Sequence, residues 1–226
     1  MFSRSGTVDL MRILLLNPNS NESTTQAMVA IAQEHAGERA RIEGMTAPSG
    51  PLMIIDEDAL QTASALMSEL VPAIIRAQPD ALVLAGYGDP GLAALRAQLS
   101  IPVTGIGEAS MLEAAKHGPF AVATSTPGLV RAITRMAHER GHSKLFRGVF
   151  LTKGDPIALS NDAEALLHDL AASCREAITT SDAKSIIIGG GPLALAARDL
   201  RRSFHVPIIE PIPCATEFLL QQTKGT

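Results

Sequence analysis

The stretch DALVLAGYGDPGLAALRAQLSIPV (80–103) has the same order of parts as AKSIIIGGGPLALAARDLRRSFHVPII (183–209). Each runs from an apolar strand through a Gly/Pro loop into a Leu/Ala-rich helix carrying Arg. Each then ends on a hydrophobic-Pro-hydrophobic strand start. ILLLNPNS (13–20) likewise parallels FAVATSTP (120–127): an apolar run, small polar residues, then a helix. Strands that read as near-continuous apolar runs are covered on both faces, and their alternation with helices marks parallel sheets with crossover connections. The repeat predicts an α/β fold of two pseudo-symmetric lobes, each a mostly parallel sheet flanked by helices.

Working outward, strands are expected at 12–17, 40–46, 80–86, 102–105, 119–124, 145–150, 183–189 and 206–209. A helix is expected from about Ser20, with Asn19 and Glu22 spaced as a capping box; Asn161 and Glu164 repeat that spacing. The stretch 57–77 is helical in pattern, and Pro72 inside it predicts a kink or break. Residues 1–10 read as a loose tail, 11–104 with 208–226 as one lobe, and 105–207 as the other. With no long linker, the lobes should share an interface.

Composition narrows the function classes. The chain has 226 residues, 46% hydrophobic and 19% charged, with a net charge of −4. That is a globular composition with room for a sizeable core. No Lys/Arg stripe and only 3% aromatics argue against a nucleic-acid partner. No apolar run reaches a membrane-spanning length of about 18 residues. Without a signal-peptide core, the chain reads as cytoplasmic with Cys174 and Cys214 reduced. The six histidines form no HxH, HExxH or Cys/His pair at ligand spacing, so no metal site is expected. A homo-oligomer is compatible with the many large apolar residues.

Ligands of open parallel sheets bind beyond the carboxyl ends of the strands. Those ends offer Asn17, Asn19 and Ser20; Gly86, Tyr87 and Asp89; Thr124, Ser125 and Thr126; Gly189, Gly190 and Gly191; and Glu210. Backbone N–H groups at the following helix starts favour a carboxylate. Each motif also has a plain structural reading. NPNS and TSTP make turns and helix caps. In GYGDPG, Asp89 is expected to cap the next helix, with Pro90 at its first position. Cys174 falls on the apolar stripe of an amphipathic helix, and Cys214 follows the last strand.

The same residues resemble a known family. RILLLNPNS with Thr24, GYGDPGL (86–92), IPVTGIGEAS (101–110), GPFAVATS (118–125), SIIIGGGPLALA (185–196) and VPIIEPI (206–212) are similar to hydantoin and allantoin racemases of the Asp/Glu/hydantoin racemase superfamily. The resemblance implies two α/β lobes with a small amino acid, cyclic amide or carboxylate bound between them, and no metal or organic cofactor. In such racemases one Cys per lobe flanks the substrate α-carbon, as base on one face and acid on the other. Here those positions fall on Gly86 and Gly190, and glycine has no proton to transfer. Similar decarboxylases have Gly at the first position but keep Cys at the second.

Three readings stay open on sequence alone. The first is a cofactor-independent enzyme, of isomerase or lyase type, acting on a small carboxylate or cyclic amide or ureide. It would use Glu210, Tyr87 or Asp89 for proton transfer and Asn17, Asn19, Ser20, Gly86, Thr124, Ser125, Gly190 and Gly191 for binding. The second is a racemase in which Cys214 supplies one base. The third is a homologue that binds the small molecule without turning it over.

Overall fold

A computed structural model describes residues 10–222. Apart from Leu10, the tail expected over 1–10 lies outside those residues. All eight expected strands are present: β1 (Met11–Asn17), β2 (Ala40–Thr46), β3 (Ala81–Leu84), β4 (Val103–Gly105), β5 (Phe120–Thr124), β6 (Phe146–Leu151), β7 (Ser185–Ile188) and β8 (Ile208–Ile209). They form two four-stranded sheets, β2-β1-β3-β4 and β6-β5-β7-β8, with every pairing parallel. The internal repeat in the sequence is therefore a repeat of sheet order, with β1 and β5 in equivalent positions.

The α-helices between them are α1 (Glu22–Ala36), α2 (Glu57–Ala77), α3 (Leu92–Gln98), α4 (Ile106–Ala115), α5 (Val130–Glu139), α6 (Pro156–Ser160), α7 (Ala163–Thr180), α8 (Ala194–Leu200) and α9 (Pro211–Gln222). Side chains alternate across each strand, so an all-apolar strand feeds two cores. Leu14 and Leu16 of β1 pack with Leu82, Leu84 and residues of α2 and α3. Ala121 and Ala123 of β5 pack with Ile186, Ile188 and residues of α7 and α8. The opposite faces of the two sheets meet in one common core: Ile13, Leu15 and Val83 lie in the same buried cluster as Phe120, Val122 and Ile187. Residues of α1, α4, α5 and α9 complete it.

The boundary expected at residue 208 is corrected. Ile208 and Ile209 pair with Ile186 and Ile187 of β7, so this strand belongs to the second sheet. The chain returns only with α9, which packs on α1 and α4. Glu217 of α9 fastens that return. It accepts hydrogen bonds from Arg39 Nη1 at 2.8 Å and contacts His35 Nε2 at 3.0 Å. Partial burial would raise its carboxyl, but the bonds from Arg39, Gln221 and His35 outweigh it and hold the group down at about 2. A depressed acid contributes stability above its ordinary value near 4.5, and that contribution is lost as pH falls towards 2. Glu217→Gln is therefore expected to flatten the wild-type loss of stability between pH 5 and 2. Because the pair is partly exposed, the effect should stay below about 1 kcal/mol. Denaturant titrations across that range measure it; parallel pH profiles would contradict the assignment.

Three local expectations also change. Asn21, not Asn19, caps α1, its side chain accepting from Thr24 N at 3.1 Å. Asp162 caps α7, while Asn161 ends the short α6. In both places a later Asx residue, two positions on at α1 and one at α7, reaches the helix N–H groups. Pro72 does not break α2, which runs through all 21 residues. Pro72 and Ser68 both lie on the solvent face, where water can satisfy the carbonyl that the missing N–H leaves free.

Candidate functional site

A parallel sheet aims all its strands the same way, so the loops after β1, β3, β5 and β7 gather at one end of the molecule. A cavity opens among them. From the first sheet it takes Asn19 and the run Ala85–Tyr87; from the second it takes Thr124–Thr126 and Gly189–Leu193. Met53 and Ile54, from the loop after β2, and Pro156, Ser160 and Leu166 close the outer side. None of the lining residues is Lys, Arg, His, Asp, Glu or Cys. The walls are apolar, with hydroxyls and one amide set among them.

Asn19 is held in place from beneath. Asn17 ends β1 fully buried and donates from Nδ2 to Asn19 Oδ1 at 2.9 Å and to Thr25 Oγ1 at 3.0 Å, while its Oδ1 accepts from Asn19 N. Asn19 Oδ1 also accepts from Asn21 N. With Oδ1 so engaged, the Asn19 amide NH2 is the end left to meet a ligand. Asn17 thus supports the site without lining it. Ser20 does neither: it faces the loop after β2, its N–H donating to Pro51 O and its hydroxyl to Gly50 O.

Thr124 crosses between strands of the second sheet. Its hydroxyl donates to Gly189 O at 2.7 Å and sits 3.1 Å from that of Thr126. Gly86 and Gly190 both face the cavity. At Gly86 a methyl group would stand 2.4 Å from Cγ of Pro18; at Gly190 it would stand 3.0 Å from Cγ of Leu193. Tyr87 joins the two halves. It leaves the end of β3 and lays its ring edge against Gly189, where an added Cβ would meet Cε1 at 2.9 Å. Its hydroxyl is buried and has no hydrogen-bond partner of ordinary geometry. Burial pushes the phenol well above its usual value, with Ser110 pulling slightly the other way. Tyr87 therefore stays a neutral phenol near neutral pH.

Two expected proton-transfer groups lie elsewhere. Asp89 does not cap its own helix; Gly91 precedes α3. Its carboxylate instead accepts the N–H groups of Gly107 and Glu108, both at 2.8 Å, at the start of α4. The backbone reaches that position because Asp89 adopts φ 49, a left-handed conformation that Asp tolerates better than most residues. Glu210 sits after β8, the edge strand of the second sheet, and the chain turns from it directly into α9. There it pairs with Arg201 at 3.3 Å and lines a different cleft, together with His35, Lys116 and Cys214.

Neither thiol lines the strand-end cavity. Cys174 is fully buried in the core under α7 and α8. Cys214 lies on α9 in the Glu210 cleft. Burial pushes both up to about 12, so neither carries an appreciable thiolate near neutral pH. Among the described residues no cluster of His, Cys, Asp or Glu could hold a metal ion, and no helix is long and apolar enough to cross a membrane.

The sequence reading omitted Met53, Ile54, Pro156 and Ser160. All follow β2 or β6, the outer strands, and the strand-end rule applied to those two strands as well would have found them. The loop after β2 is pinned across the molecule by a parallel bridge between Asp56 and Gly128.

Two all-parallel sheets that share a core and converge on a neutral cavity define the class: an α/β protein with a cavity at its strand ends. Residues 13–219 match the Asp/Glu/hydantoin racemase family, and the chain belongs to it. It is 29% identical over 208 residues to a hydantoin racemase of Paenarthrobacter aurescens, covering 91% of this chain and 88% of that protein. The fold superposes on the allantoin racemase of Klebsiella pneumoniae with a TM-score of 0.88 at 25% identity, covering 95% and 88% of the two chains. On the allantoin racemase of Pseudomonas fluorescens the TM-score is 0.89, also at 25% identity, with 95% and 91% covered.

Proposed function

We propose that this chain is a cofactor-independent enzyme of its family that acts on a small carboxylate or cyclic amide or ureide through a single proton delivery, and not by two-thiol racemisation. One observation carries the reading: the cavity presents glycine at 86 and 190, holds neither Cys174 nor Cys214, and has Tyr87 as its one titratable wall residue. Inversion needs an acid and a base on opposite faces of the reacting carbon. One protonated donor beside hydroxyl groups suits decarboxylation, elimination or ring opening. In such reactions the Ser125 hydroxyl and the Asn19 amide, whose protons no hydrogen bond among the described residues uses, stabilise charge developing on a carbonyl or carboxylate oxygen, and Tyr87 supplies the proton.

The absence of a second titratable group equally favours a homologue that binds without turnover, and one experiment separates the readings. A panel of substituted malonates, hydantoins and amino acids is incubated with the protein in D2O and followed by NMR and chiral chromatography. The expected result is a product carrying one solvent deuterium, with enantiopure 5-substituted hydantoins left unracemised. Tyr87→Phe should slow turnover by about 10²–10⁴-fold, the usual worth of general acid catalysis. Ser125→Ala should weaken binding by about 1.5–3 kcal/mol if its partner on the ligand is charged. Saturable binding with no product would establish the binding-only reading. Racemisation abolished by Cys214→Ser would replace both with thiol chemistry.

A further inference from the structure

Gly128 lines no part of the strand-end cavity, yet it fixes where one of the cavity's walls can stand. The strap 47–56 leaves the first sheet at the end of β2 and reaches across to the second. Its middle is tied to its own side: Ser20 donates from N to Pro51 O at 3.0 Å and from its hydroxyl to Gly50 O at 3.2 Å. Its last residue, Asp56, forms the parallel bridge to Gly128, just before α5. Met53 and Ile54, which line the cavity, fall between these two anchors.

The crossing is made twice. One residue beyond the bridge, Glu57 at the start of α2 turns its buried Oε1 towards Arg135 Nη1 of α5, 3.5 Å away. The bridge itself needs glycine. A Cβ at 128 would stand 2.6 Å from Ile55 O, 2.9 Å from Asp56 Cβ and 3.0 Å from Asp56 Cα. Two of those atoms are backbone, and no change of rotamer moves them out of the way. A side chain at 128 therefore has to part residues 55 and 56 from the turn after β5, and the wall they carry goes with them.

From this contact we infer that Gly128 is a positioning residue. It latches the strap across the two sheets and so holds Met53 and Ile54 at the cavity, with Arg135 as a second, weaker catch. Access to the cavity is set by a glycine outside it. The inference does not depend on the reaction proposed above.

Iodoacetamide labelling of a cavity thiol, followed by peptide mass spectrometry, tests it. Ser125 lines the cavity, and Ser125→Cys places a thiol there in a Cys214→Ser background. The native thiol that remains, Cys174, is fully buried in the core of the second sheet. Its labelling reports opening of the whole fold in the same sample. Adding Gly128→Ala should speed labelling at position 125 by about tenfold or more, as overpacking against backbone implies, with labelling of Cys174 unchanged. Arg135→Gln should speed it by about two- to fivefold, the usual worth of a half-exposed ion pair. Arg135 is half exposed, so this variant should fold and decides alone if the glycine substitution does not. Equal acceleration at position 125 and at Cys174 would mean that the whole fold is loosened. Unchanged labelling at position 125 in both variants would mean that the strap is held without the latch. Either result overturns the inference.

Discussion

Asp89→Ala is expected to destabilise the protein by about 3 kcal/mol. The carboxylate is 8% exposed and accepts two N–H groups at the start of α4. Removing it strands two buried donors, each costing about 1–3 kcal/mol, and the relief of desolvating a carboxylate offsets part of that. The loss should reach the ligand site as well, because the same clamp fixes the loop that holds Gly86 and Tyr87. Asp89→Asn keeps one acceptor and should cost less. Its pH dependence has a definite sign. Burial drives the Asp89 carboxyl up to about 7 against the pull of its two N–H bonds. A group whose folded value lies above its ordinary 3.8 binds its proton more tightly when native. Its stabilising share is therefore complete below about pH 4 and falls away as pH rises through 7. Asn does not titrate, so the stability gap between wild type and Asp89→Asn should narrow from pH 4 to 7. Urea unfolding at several pH values measures this; a gap that widens would show that the N–H bonds dominate burial.

The second large effect is at Gly86. Alanine there places Cβ 2.4 Å from Pro18 Cγ and 3.2 Å from Pro90 Cδ. A proline ring cannot swing aside, so the backbone of one loop has to move. Overpacking of this kind costs about 1–3 kcal/mol, and it distorts the cavity wall directly. Gly86→Ala should therefore lower thermal stability and weaken ligand binding by more than tenfold. Gly190→Ala meets only the side chain of Leu193, at 3.0 Å and 3.1 Å. That side chain can rotate away, so the expected cost is within about 1 kcal/mol. Differential scanning fluorimetry with a binding assay distinguishes the two; equal effects would mean that Pro18 yields. The asymmetry bears on any attempt to install thiols, since a cysteine is accommodated at 190 far more readily than at 86.

The fold was legible because its strands are written as buried apolar runs and its two halves repeat one pattern. Asn19, Gly86, Tyr87, Thr124, Ser125, Gly190 and Gly191 were legible as cavity residues for a related reason: parallel strands deliver their ends to one place. Asp89 and Glu210 were misplaced because their partners are distant in sequence. Nothing near residue 89 signals that α4, starting at Ile106, brings its N-terminus to that carboxylate. Nothing in EPIPC signals that an edge strand turns Glu210 away from the cavity. Capping residues were read two positions early at α1 and one early at α7, where a second Asx side chain follows closely in the sequence.

The two sheets bury their facing sides in a single hydrophobic interior, with Phe120 and Val122 in the same cluster as Ile13 and Leu15. Such an arrangement has no dry seam along which the halves could part like a clamshell without flooding the molecule's centre. The segments after β2 and β6, which bring Met53 and Pro156 to the cavity wall, are therefore the parts of the site that lie outside that shared interior.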